Sequence, residues 1–110
     1  MRGLVIGLLF TFLSTSIWAG TWSEKQYVKR TFTEDSDLII VYTDGAKEYA
    51  SGCHKSSWSI KLANDQRRGR AYSTVMTALV SGKPIAFWVN TDRCGVWNYH
   101  EATAIQIYSE

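Results

Sequence analysis

The sequence predicts a mainly β domain with one α-helix, arranged as an OB-like five-stranded Greek-key barrel whose helix lies between the third and fourth strands. Three observations predict it. Leu38, Ile39, Ile40, Val41 and Tyr42 form a run that is β-branched or aromatic almost throughout, closed by Asp44-Gly45, a strong hairpin signal. Tyr72, Val75, Met76 and Leu79 fall on one helical face, which Gly82 and Pro84 bring to an end. Two strand-like segments follow the helix. A helix capping an open sheet is the alternative architecture, and periodicity does not separate the two because both bury the same residues.

In chain order, Met1 to Ala19 read as a signal peptide. Arg2 supplies the positive start, Leu4 to Leu13 the apolar core, and Ala19 the small residue before cleavage. The apolar run is half of the roughly 20 residues that span a bilayer, so an exported domain over residues 20–110, with no stable membrane insertion after cleavage, is expected. Periplasmic residence and further secretion are both compatible with it.

Gln26 to Thr33 alternates weakly as a leading strand before the polar break Glu34, Asp35 and Ser36. After the main strand 38–42, Asp44-Gly45 predicts that Ala46 to Ala50 pair back against it. Trp58, Ile60 and Leu62 alternate with Ser59 and Lys61 as a third main strand. Asn64 or Asp65 offers a helix N-cap. Arg67, Arg68 and Arg70 then read as a solvated helix start. Ile85, Phe87 and Val89 form the next strand, Thr103 to Tyr108 the last, with a long loop between them.

The two cysteines of an exported chain, Cys53 and Cys94, are expected to form a disulfide worth about 4 kcal/mol on the chain-entropy model. A metal site adding His54 and His100 lacks paired ligand spacing, so no metal and no cofactor are expected. Without Arg2, eleven basic residues face ten acidic ones, scattered along the chain. That balance does not point to nucleic acid. His100 and Glu101 are neighbours that a strand turns to opposite faces, and no nucleophile elbow or phosphate loop occurs; the chain reads as a binding module and not an enzyme.

The segment Asn90 to Glu101 mixes aromatic and polar side chains most densely. A sugar presents apolar CH faces and hydroxyl rings, for which Trp97 or Tyr99 beside Asp92, Arg93 and Asn98 supply a flat aromatic and polar partners. The alternative is that Trp97 plugs the end of the barrel while the polar groups hold the loop.

Tyr72-Ser73-Thr74, Ala78-Leu79, Ser81-Gly82-Lys83-Pro84-Ile85 and Gly95-Val96-Trp97 together resemble the B subunit of subtilase cytotoxin and the small exported bacterial proteins akin to it. Gly45, Cys53, Trp58 and Ile85 match the order of elements in that group. The resemblance covers the C-terminal half and rests mainly on structural residues. It implies an OB-type barrel, a homo-pentameric ring and a cell-surface glycan as partner, with Ser36 as a positional candidate for sugar contact. An envelope or structural interaction protein without toxin activity is the rival reading.

Overall fold

The computed structural model describes residues 20–34, 37–62 and 64–110, so the signal-peptide expectation and Ser36 lie outside the described residues. The strands are β1 (Gly20–Trp22), β2 (Val28–Glu34), β3 (Leu38–Thr43), β4 (His54–Lys61), β5 (Ile85–Cys94) and β6 (Tyr99–Ile107). Helix α1 (Asp65–Ser81) joins β4 to β5, and a 3-10 turn (Val96–Asn98) joins β5 to β6. All six strands make one mixed sheet in the order β1-β5-β6-β4-β3-β2. Among the described residues only β4 and β6 run parallel.

The mainly β content with a single described helix agrees with expectation; the OB-like five-stranded barrel does not. No ladder joins the edge strands β1 and β2, so the sheet is not a closed barrel, and the helix falls between β4 and β5 of six strands. The sheet nevertheless curls. Gln26 bridges Ile85 of β5 while Val28, two residues on, pairs with Thr43 of β3. Two residues reach at most about 7 Å, whereas Gln26 and Val28 stand on opposite edges of the sheet, five strand spacings or about 24 Å apart were it flat. Only a strongly coiled sheet satisfies both pairings.

The concave face carries the core. Ile39 and Val41 of β3, Trp58 and Ile60 of β4, and Ile85, Phe87 and Val89 of β5 pack with Val75 and Ala78 of α1. Trp58 lies at its centre, stacked on Phe87 with ring centroids 4.1 Å apart. Its indole N–H donates to Gln26 Oε1 at 3.1 Å and Thr43 Oγ1 at 3.2 Å. Gln26 Nε2 donates to Ser23 Oγ at 3.3 Å and the Glu24 carbonyl at 3.2 Å. A buried polar group without a partner costs about 1–3 kcal/mol, and this network satisfies the amide at the point where the sheet curls.

Gly45 has a role other than the expected one. Asp44 N–H donates to the Tyr27 carbonyl, and Asp44 Oδ1 accepts from Tyr27 N–H at 2.8 Å, so Asp44 ties the end of β3 to the start of β2. A Cβ on Gly45 would lie 2.4 Å from Gln26 Oε1, so glycine answers a close approach and not a hairpin. Residues 46–50 accordingly form no strand, and β3 pairs with β4 instead.

The helix begins and ends where the sequence indicates. Asn64 Oδ1 accepts from Arg67 N–H at 3.0 Å, and Gly82, at φ 71°, donates its N–H to Ala78 O. Val75 and Ala78 are the buried residues of α1, while Tyr72 and Leu79 are half-buried against the core.

Candidate functional site

Strand alternation places Arg30 and Phe32 of β2 and Tyr42 of β3 on the face opposite the core. Their rings join those of the β5–β6 connection in a continuous row. Phe32 stacks on Tyr42 at 6.3 Å, Tyr42 meets Tyr99 edge-on at 5.7 Å, and Tyr99 meets Trp97 edge-on at 5.7 Å. His54 joins from the side, 5.5 Å from Tyr99. The hydroxyls of Tyr42 and Tyr99 are hydrogen-bonded at 2.8 Å, which holds the Tyr99 phenol protonated above its ordinary range. The Arg30 guanidinium lies 4.2 Å over the Tyr42 ring, a cation–π contact of about 0.5–1 kcal/mol at an exposed site.

The turn that presents Trp97 is fixed from several sides. Trp97 and Asn98 have φ of 55° and 60°, left-handed geometry that costs a non-glycine residue about 1–3 kcal/mol and persists only where the surroundings impose it. Gly95 N–H donates to Tyr99 O at 2.7 Å, closing the turn. Gly95 also sits directly on β4, where a Cβ would come within 2.4 Å of Ser59 Oγ. One residue before it, Cys94 is bonded to Cys53, as expected from the sequence. Trp97 is thus held 53% exposed at the end of the aromatic row.

Of the residues singled out in the sequence, Trp97 and Tyr99 share this row, and Asn98 is exposed in the same turn. Arg93 is directed elsewhere, with Nη2 3.2 Å from Glu101 Oε1, an oxygen that also accepts from Asn90 Nδ2 at 3.0 Å. Asp92 is exposed near the end of β5, its backbone N–H on Asn90 Oδ1 at 3.4 Å. The expected long loop is largely strand: β5 runs to Cys94 and β6 starts at Tyr99, because the two continue pairing to Cys94–His100 through a register shift. Arg30, Phe32, Tyr42 and His54 were not among the binding residues that the sequence indicated. Their signal was present in Phe32 and Tyr42, aromatic residues at positions that alternation turns outward.

His100 lies directly beneath this region and is fully buried. Its Nε2 accepts from Tyr49 N–H at 3.0 Å, while Nδ1 has no hydrogen-bond partner among the described residues. Burial lowers its pKa from the ordinary 6.5, with the Glu48 carboxylate opposing. Because the folded pKa is depressed, the stability that the neutral ring permits is complete above about pH 6.5 and is lost as pH falls through the folded value. The expected result is a denaturant midpoint that declines below pH 6.5, with a contribution from this group of at most about 1.4 kcal/mol per pH unit. Urea titrations of the parent and His100→Gln at several pH values measure it; an identical decline in both would remove His100 as the cause.

Among the described residues no group of three or more His, Cys, Asp and Glu side chains is placed to hold a metal ion, and no helix is long and apolar enough to cross a membrane. Compared with known proteins, the chain matches no family model and no curated protein.

Proposed function

We propose that the protein is an exported, non-catalytic binding module whose ligand is a glycan, held on the convex face by Trp97, Tyr99, Tyr42 and Phe32. The observation that carries this reading is the row of rings ended by a strained, half-exposed tryptophan. Backbone strain is retained where the surroundings over-determine it, and it clusters at ligand clamps. Flat rings suit the CH faces of a pyranose. The Arg30 guanidinium, the His54 imidazole and the two tyrosine hydroxyls supply donors and acceptors for its hydroxyls. The resemblance to toxin B subunits points to the same class of ligand and adds a homo-pentameric ring.

A glycan array, followed by calorimetry on the strongest binder, tests the proposal. Trp97→Ala is expected to weaken binding at least about tenfold while shifting the thermal midpoint by only a few degrees, since exposed side chains contribute little to stability. Absence of binding by the folded, oxidised parent across a broad panel would retire the glycan reading in favour of an envelope interaction protein. Sedimentation gives the assembly state independently. A mass of one chain at high concentration would remove the ring and leave the glycan reading intact.

A further inference from the structure

A second surface lies away from the aromatic row, where α1 passes beside β6. The parallel β4–β6 ladder ends at Ile60–Ala102, but β6 continues to Ile107. From Thr103 onward that side of β6 has no strand beside it among the described residues. Along it runs a groove of about 320 Å³, lined by Thr103, Ala104 and Ile105 of β6, with Ile60 and Leu62 at its β4 end. The opposite wall is one face of α1, on which Arg67, Arg70, Ala71 and Thr74 follow helical spacing.

Three features of this groove point to an occupant. First, an unpaired strand edge offers main-chain N–H and C=O groups at every second residue, which an extended chain satisfies by adding as a further strand. Second, Trp88 pairs with Ala104 while Val89 pairs with Ala102, leaving Thr103 as the extra residue of a β-bulge, a device that ends or redirects pairing next to binding sites. Third, the charge on the helical wall is uncompensated. Arg68 engages Asp37 and Asp65, but Arg67 and Arg70 make no ion pair among the described residues, and both are exposed.

We propose that this groove docks an extended acidic peptide segment of a partner protein, which adds as a strand alongside Thr103–Ile107 and sets its carboxylates against Arg67 and Arg70. The free edge is five residues long, about 17 Å, enough for a short strand. Leu62, Ala71 and Ile105, half-buried beside the core, give the peptide apolar contacts for alternate side chains, so acidic and aliphatic residues in alternation fit the groove. The site is independent of the aromatic row.

The test is fluorescence anisotropy with a labelled hexapeptide alternating glutamate and valine, run against its glutamine analogue and a version N-methylated at alternate amides. The acidic peptide is expected to bind, with at least a tenfold loss for the glutamine analogue and for the Arg67→Gln/Arg70→Gln protein. N-methylation in one of the two registers is expected to abolish binding, which charge attraction alone would not produce. Amide NMR shifts should fall on Thr103–Ile107 and saturate with the same affinity. The proposal is overturned if the acidic peptide does not bind, if the glutamine analogue binds equally well, or if the shifts lie elsewhere. Self-association that the double substitution removes would also overturn it, by assigning the groove to a second copy of the chain. Glycan binding through Trp97 is measured separately, and neither result decides the other.

Discussion

Trp58→Ala is expected to destabilise the domain by about 3–5 kcal/mol, a large share of the 5–15 kcal/mol that a small domain possesses. Two losses combine at this position. The indole is fully buried and stacked on Phe87, so truncation opens a cavity in a core bounded by a single coiled sheet and one helix. The same change removes the N–H that Gln26 Oε1 and Thr43 Oγ1 accept, and these are the groups that hold the join between β1 and β2. Trp58→Phe separates the two effects. It keeps most of the ring stacking, loses the donor, and is expected to cost about 1–3 kcal/mol. Urea unfolding followed by far-UV circular dichroism reads both variants. A Trp58→Ala loss below about 1 kcal/mol would show that the core does not depend on this ring.

How much of the fold was legible in the sequence follows from the range over which each signal acts. The helix was legible because its cap at Asn64, its stop at Gly82 and its apolar stripe are all local. Strand β3 was legible because the four consecutive β-formers Ile39 to Tyr42 admit little else. Asp44-Gly45 misled because local turn chemistry favours a hairpin, whereas the distant Gln26 and Tyr27 claim both residues. Strand β1 left no pattern: three residues show no alternation, and their pairing with β5 spans most of the chain. The site divides in the same way. The turn holding Trp97 announced itself by composition, but the remainder of the row comes from β2 and β3, and only the sheet register brings Tyr42 within bonding distance of Tyr99. Identity of residues predicts chemistry; pairing decides which chemistry meets.

Removing the disulfide through Cys53→Ser/Cys94→Ser is expected to lower stability by about 2–5 kcal/mol, and its effect should reach the candidate site before the rest of the fold. The bridge joins residues 41 apart, so the reduced chain regains the conformational freedom of a long loop when unfolded, worth about 4 kcal/mol on the chain-entropy model. In the folded protein the bridge anchors the start of β4 to the end of β5, immediately before the turn in which Trp97 and Asn98 are held left-handed. That geometry is unfavourable by itself, so loosening one of its anchors gives the turn a route to relax. Two transitions therefore follow from reduction. Under mild conditions the variant retains its circular dichroism while glycan affinity falls at least about tenfold, and under urea it unfolds at a lower midpoint than the oxidised parent. Thiol titration of the native parent provides the control, with no reactive thiol expected. Two titratable thiols in that protein would refute the bridge. Full glycan affinity in the folded double variant would show that Gly95 seated on Ser59, and not the disulfide, holds Trp97 in place.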